Sequence, residues 1–167
     1  LNLINKLKID PESKFIGMVG RYHSMKRHDI FLHAAQIIIN KYPSIHFILC
    51  GTGVDHSNKK LVNLVNQFSL DNNVHLLGYI SNMSELYSSL DILAVTSSYG
   101  ESFPLTICEA MACDVPVIAT NVGDTSYIMD NKSMTIPINE PMILAEKCCE
   151  ILSLDEKSRT NVRVKSR

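Results

Sequence analysis

Two carboxylates and two cations are the groups in this sequence best spaced to do chemistry. In Glu101-Ser-Phe-Pro-Leu-Thr-Ile-Cys-Glu109, one glutamate precedes a proline-started helix and the other lies inside it. Glu109 is surrounded in sequence by Leu105, Ile107, Cys108, Ala110, Met111 and Ala112. The helix therefore reads as apolar nearly all round, and a carboxylate there is expensive without partners. One reading gives Glu109 a salt bridge to a neighbouring Lys or Arg. Another gives it a ligand diol, such as the 2′,3′-hydroxyls of a ribose, which can donate both hydrogens to one carboxylate. With Pro104 at the favoured first helical position, Glu109 lies roughly 7.5 Å along the axis from the helix start. The backbone of the Phe103 to Leu105 stretch is left free to hold phosphate. Glu101 then faces whatever hangs beyond a diphosphate, and a sugar ring is a natural guest.

Arg21 and Lys26 stand five residues apart, just past an apolar run. They can be read as two solvated surface cations. Their place at the carboxyl end of a strand, where helix N-termini also point, favours a pair that grips a diphosphate. His23 and His28 flank Lys26 and are further candidates to line such a site, whereas His33, His46 and His75 fall in strand or helix patterns and read as structural.

The elements that must position these groups alternate along the chain. Apolar runs at Phe15–Val19, Ile45–Cys50, Val74–Leu77, Asp91–Val95, Val117–Ala119 and Met134–Ile136 read as strands. They are short and do not alternate in polarity, as strands covered on both faces do. Helical spacing appears at Asp29–Tyr42, Lys59–Phe68, Pro104–Cys113, Pro141–Leu152 and Glu156–Val164, with a short amphipathic stretch at Leu1–Leu7 ahead of an Asp10-Pro11-Glu12-Ser13 breaker. Asn82, three residues before Glu85, reads as the cap of a short helix through Leu90, and Thr125–Met129 as a helical turn. This alternation predicts an α/β domain, a Rossmann-like open parallel sheet of about six strands with helices on both faces. In such a sheet ligands sit beyond the carboxyl ends of the strands. The loops at Gly20–Lys26, Gly51-Thr52-Gly53, Gly78-Tyr79, Ser97–Pro104 and Asn121–Asp124 are those to inspect.

Composition narrows the classes. The 167 residues are 46% apolar and 20% charged with a net charge of −1, which permits a full core and argues against a chain that binds nucleic acid by bulk charge. No apolar run is long enough to span a bilayer. The five cysteines show no C-x-x-C spacing and each lies in an apolar stretch, so they read as reduced structural residues of a cytoplasmic protein. Scans for G-x-G-x-x-G, Walker A and H-E-x-x-H patterns fail. No internal linker or repeat appears, so residues 1–167 read as one domain. The chain starts at Leu1 and stops at Arg167 within a polar helical pattern, which reads as a piece excised from a longer protein.

Taken together, Val19-Gly20-Arg21 with Lys26, Gly51-Thr52-Gly53, Leu77-Gly78-Tyr79, Leu90-Asp91-Ile92 leading to Ser97, Glu101-x7-Glu109, Glu109-Ala-Met-Ala-Cys-Asp-Val-Pro-Val117 and Val122-Gly123 resemble a known pattern. It is that of the C-terminal, donor-binding half of retaining GT-B glycosyltransferases of the group 1 (family 4) type. The resemblance covers about Leu3 to Val164 and implies no metal or other cofactor. It implies a Rossmann-like half of a two-domain fold, transfer of a sugar from a nucleoside-diphosphate sugar (UDP-, GDP- or ADP-linked) to an acceptor hydroxyl, and work on a surface polysaccharide or glycolipid. The catalytic set it implies is Glu101, Arg21 and Lys26, with Arg21 and Lys26 on the diphosphate and Glu101 on the donor sugar. Donor binding would extend to Gly20, Gly78, Tyr79, Phe103, Pro104, Leu105 and Glu109, the last on the ribose and the Gly78-Tyr79-Ile80 loop on the base. Acceptor contacts would come from an N-terminal half that this chain lacks, which would also set any station at the inner membrane face. The alternatives are the same fold in a sugar phosphorylase or nucleotide-sugar epimerase, and a nonenzymatic nucleotide-binding module. Three positions depart from the family pattern. Asp114 and Asp124 stand where glycine is usual and Tyr127 where Glu is frequent, and Asp114 is expected at a backbone position needing positive φ.

Overall fold

The computed structural model describes residues 7, 9–10, 12–129 and 132–155. The stretch expected at 1–7, except Leu7, together with Pro11 and the helix expected at Glu156–Val164, lies outside the described residues.

Six strands form one all-parallel sheet: β1 (Phe15–Val19), β2 (His46–Cys50), β3 (Val74–Leu76), β4 (Ile92–Val95), β5 (Val117–Thr120) and β6 (Thr135–Ile136). The order is β3-β2-β1-β4-β5-β6. Register runs Phe15 to His46 through Val19 to Cys50 on one side of β1, and Ile16 to Ile92 on the other. β2 to β5 are almost wholly buried, as expected of apolar runs with helices on both faces. The six-stranded parallel expectation therefore holds, with no strand end moved by more than one residue. The sixth strand is shorter than expected, because Lys132–Met134 closes into a 3-10 turn first.

The helices are α1 (His28–Ile39), α2 (Lys59–Gln67), α3 (Met83–Ser88), α4 (Leu105–Ala112), α5 (Thr125–Ile128) and α6 (Pro141–Leu152). Against one face of the sheet, Phe31, Leu32, Ile38, Leu61, Leu144 and Ile151 from α1, α2 and α6 join Ile16, Phe47 and Leu49. Against the other, Leu86, Tyr87, Ile107 and Ala110 from α3 and α4 pack with Phe15, Ile48, Leu93 and Val117.

Local chemistry sets the helix ends. Asn82 accepts from the Glu85 amide at 3.3 Å and returns a bond from Nδ2 to Glu85 Oε2 at 3.1 Å, a reciprocal cap of the expected kind. Pro104 is the N-cap of α4, one place earlier than the first helical position expected for it, with ψ 92 marking a residue still outside the helix. At the C-terminus of α4, Asp114 has φ 59. Its amide donates to Met111 O and that of Val115 to Ala110 O, both at 3.0 Å, which together make a Schellman cap. The positive φ expected at Asp114 is thus found. Ser69 closes α2 in the same way, with φ 55 and bonds from Ser69 N to Asn66 O and from Leu70 N to Val65 O.

Candidate functional site

The sheet order reverses at β1, which has β2 on one edge and β4 on the other. The loops leaving β1 and β4 therefore run to opposite sides and open a crevice between them at their carboxyl ends. Lys26 and Glu101 meet across this crevice. Lys26 Nζ forms an ion pair with Glu101 Oε1, both side chains being largely buried, and Ser97 Oγ donates to the same oxygen at 2.6 Å. Burial alone would discourage ionisation of Glu101. Its bonds to Lys26 and Ser97 and the charges of Lys26 and Arg21 outweigh that and hold its pKa below the ordinary carboxylate value. Arg21 itself is exposed at the same rim. The crevice thus brings one ionised acid together with two basic side chains.

The turn that carries Lys26 is a 3-10 segment, Ser24–Lys26, capped by His23 Nδ1, which accepts from the Met25 amide at 3.2 Å. Gly20 lets the lysine stem lie close, since a Cβ there would meet Lys26 Cε at 3.2 Å. On the far side of Glu101, the β5 loop presses in. A Cβ on Gly123 would stand 1.8 Å from Glu101 O, and the Asp124 amide donates to Ser102 O at 3.1 Å. Any side chain at position 123 would push the Glu101 loop away. Gly78 ties the β2 and β3 loops, its amide donating to Val54 O at 2.7 Å and its carbonyl accepting from Gly51 N at 2.8 Å.

Glu109 departs from expectation. It is exposed, not enclosed by apolar neighbours. The eight-residue α4 buries only Ile107 and Ala110 fully, and Leu105 at its start is 63% exposed. No Lys or Arg pairs with Glu109 among the described contacts. Its partner is the hydroxyl of Tyr87 from α3, which donates to Oε2 at 2.7 Å. Tyr87 is 1% exposed; burial, then the bond to Glu109 and its charge, push the phenol well above its ordinary pKa. A buried tyrosine needs a partner for its hydroxyl, and this one holds a carboxylate at the rim. Phe103 is half-exposed beside buried Pro104, and Tyr79 is 79% exposed beyond Gly78.

Tyr87 and Thr96 were not singled out from sequence. The first is one aromatic in a short amphipathic helix, and only its hydroxyl hints at a distant partner. The second is a threonine that directly follows an apolar strand. Of the histidines, His28 is buried against Tyr22 at 5.1 Å between ring centres and feels the charge of Lys26, while His23 is used as a turn cap whose carbonyl accepts from the Lys26 amide at 3.0 Å. His33, His46 and His75 sit in the fold as expected of structural residues: His46 and His75 share a hydrogen bond at 3.0 Å, and His33 stacks on Phe68. All five cysteines are free, Cys50 and Cys148 buried. Among the described residues, no three His, Cys, Asp or Glu side chains gather as a metal-holding group, and no helix is long and apolar enough to cross a membrane.

Residues 2–167 match the family described as glycosyl transferases group 1. The chain belongs to that family. A D-inositol 3-phosphate glycosyltransferase of Mycolicibacterium vanbaalenii is 35% identical over 127 residues, which are 70% of this chain and 28% of that protein. One from Corynebacterium urealyticum is 29% identical over 93% of this chain and 39% of its own length. The chain therefore spans well under half the length of these group 1 relatives. Among solved structures, the C-terminal domain of the Francisella tularensis group 1 protein LpcC superposes with a TM-score of 0.79 at 26% identity, covering 99% of this chain and 87% of that one. The Anabaena protein HepE, crystallised with UDP and glucose, shares the fold with a TM-score of 0.86 at 23% identity, over 99% of this chain and 45% of that one.

Proposed function

We propose that this group 1 chain is the donor-binding half of a retaining glycosyltransferase, which moves a sugar from a nucleoside-diphosphate sugar to an acceptor hydroxyl. The observation that carries the reading is the Lys26–Glu101–Ser97 cluster at the topological switch point, with Arg21 at its rim. In this reading Arg21 and Lys26 hold the diphosphate and offset the negative charge that grows on the departing nucleotide, a stabilisation strongest where water is excluded. The bonds from Lys26 and Ser97 to Glu101 both land on Oε1, and Oε2 is the oxygen offered to a sugar hydroxyl. Glu109, held by Tyr87, takes the ribose hydroxyls. The α4 N-terminus, which has no side-chain cap, presents the Phe103–Leu105 backbone to phosphate, and the Gly78-Tyr79-Ile80 loop lines the base. The leaving nucleotide and the incoming hydroxyl share one face of the sugar, which keeps its anomeric configuration. The acceptor, a glycan or glycolipid, is held by a second half of the protein, so the chain alone binds donor weakly and transfers nothing. The relatives' greater length supports that division. Cationic side chains serve in place of a metal, and binding persists in EDTA. That HepE was crystallised with UDP and glucose makes UDP-glucose the first donor to try.

Calorimetry with UDP, GDP and ADP tests the assignment. Lys26→Ala is expected to weaken the bound nucleotide by about 1–3 kcal/mol, the loss of a charge-assisted hydrogen bond. Glu109→Gln is expected to weaken a ribonucleotide more than its 2′-deoxy analogue. Unchanged affinity in Lys26→Ala for every nucleotide would remove the diphosphate role, and equal losses in Glu109→Gln would remove the ribose role.

A further inference from the structure

Lys26 and Glu101 are 75 residues apart in the chain; Lys26 ends a three-residue 3-10 turn and Glu101 lies on a loop, so neither stands on a strand or an α-helix. Such a pair stays in register only if something rigid fixes both backbones. The sheet supplies this through two buried hydroxyls. Thr96, 1% exposed and directly after β4, donates from Oγ1 to Lys26 O at 2.7 Å, with Arg27 O at 3.3 Å as a secondary acceptor. Thr120, 2% exposed and the last residue of β5, donates from Oγ1 to Ser97 O at 2.5 Å, with Val95 O at 3.3 Å. One threonine therefore fixes the residue whose ammonium reaches Glu101. The other fixes the residue whose hydroxyl reaches the same carboxylate.

Lys26 needs such an anchor because the next residue, Arg27, is a non-glycine with φ 53. That conformation is costly for an L-residue, and it persists where surrounding contacts determine it. Arg27 also spans outward, bonding Asp29 through Nε and Nη2 and Asn139 through Nη1. The Ser24–Lys26 turn is pinned further by Ser98 N to Met25 O at 2.8 Å and by Ser24 Oγ against Tyr99 OH at 2.9 Å. Thr96 is the one that grips the carbonyl of Lys26 itself. Both hydroxyls are buried and donate their protons to carbonyls within the protein, so both threonines act on the backbone.

We infer that Thr96 and Thr120 are positioning residues of the donor site, Thr96 setting Lys26 on the diphosphate and Thr120 setting Ser97 and Glu101 on the sugar. The inference rests on the donor-binding reading above and divides the work between two ends of one ligand. Thr96→Val keeps the branched shape and deletes the hydroxyl. It is expected to weaken the preferred nucleoside diphosphate among UDP, GDP and ADP about fivefold, the loss of one hydrogen bond, while the matching monophosphate changes less than about twofold. Thr120→Val is expected to spare the nucleoside diphosphate and to weaken UDP-glucose, or the matching nucleotide-glucose, by a similar factor. Thr96→Ser and Thr120→Ser retain the hydroxyls and restore affinity. Thermal midpoints confirm that each variant is folded, and Thr96→Ala replaces Thr96→Val if the latter is not. A parallel loss of mono- and diphosphate binding, a serine variant as damaged as the valine one, or no change in either valine variant overturns the inference. If the unaltered chain binds none of the three nucleoside diphosphates, the donor reading fails and takes this inference with it. If it binds one and the valine variants match it, this inference fails alone.

Discussion

The two faces of the sheet are built differently. One is covered by α1, α2 and α6, of 12, 9 and 12 residues, whose apolar stripes meet β1, β2 and each other. The other is covered by α3, α4 and α5, of 6, 8 and 4 residues. These short helices leave large apolar groups in water, Leu105 at 63% and Tyr127 at 84% exposure. They also carry Tyr87 and Glu109. The helix that presents Glu109 sits on the side with the shorter helices, whereas the turn that carries Lys26 leads into α1 on the other, so the two ends of the candidate site rest on different halves of the core.

Core truncation is the strongest way to break this contrast. Leu32 in α1 and Ile107 in α4 are both fully buried. Leu32→Ala is expected to cost about 3–4 kcal/mol in urea unfolding and to leave the nucleotide affinity of the folded chain unchanged. Ile107→Ala is expected to cost about 2 kcal/mol, because a short helix beside solvent can settle into the space, and to weaken nucleotide binding through Glu109. Equal effects of the two on affinity would erase the distinction.

Acid is the next test. Burial, helped by the charge of Lys26 and opposed by Asp29, lowers the pKa of His28 from 6.5 to about 4. Between those values the unfolded chain takes a proton that the folded one refuses, so stability falls as pH drops from 6.5 towards 4. Over that window the loss is about 3 kcal/mol. On the other face His75 is lowered to about 4 by burial and by His46 and acts in the same direction, its share reduced because it is only half-buried and water screens it. Urea midpoints at pH 7 and pH 5 check this. His28→Gln should flatten the profile more than His75→Gln, and the reverse order would contradict the burial argument.

The smallest effect compares two matched helix ends. Ser69 after α2 and Asp114 after α4 both hold positive φ in a Schellman cap. Ser69→Gly is expected to stabilise by about 0.5–1 kcal/mol. Asp114→Gly should gain less, since Asp visits this conformation more readily than Ser. Thermal midpoints of the two variants decide the order.

The strands were legible because each is buried on both faces and so reads as an unbroken apolar run. The crevice was legible because its glycines and charges fall just after such runs. The exposure of Glu109 was not, because the composition of an eight-residue helix does not tell which of its sides the sheet will cover. Nor was its contact with Tyr87, 22 residues away, since nothing local sets which short helix lies beside which. The place of Pro104 outside the helix turned on a single ψ angle. Thr96 and Thr120 stayed hidden because a threonine at the end of a β-branched run looks like one more strand residue until its acceptor is seen.

The central position of β1 bears on how the chain is made. During synthesis β1 gains β2 from the residues that follow soon after, but its second edge stays open until residues 92 and 93 have left the ribosome. Lys26 waits through the same interval for Glu101. A nascent chain halted before residue 92 thus has neither the second edge of β1 covered nor the partner of Lys26.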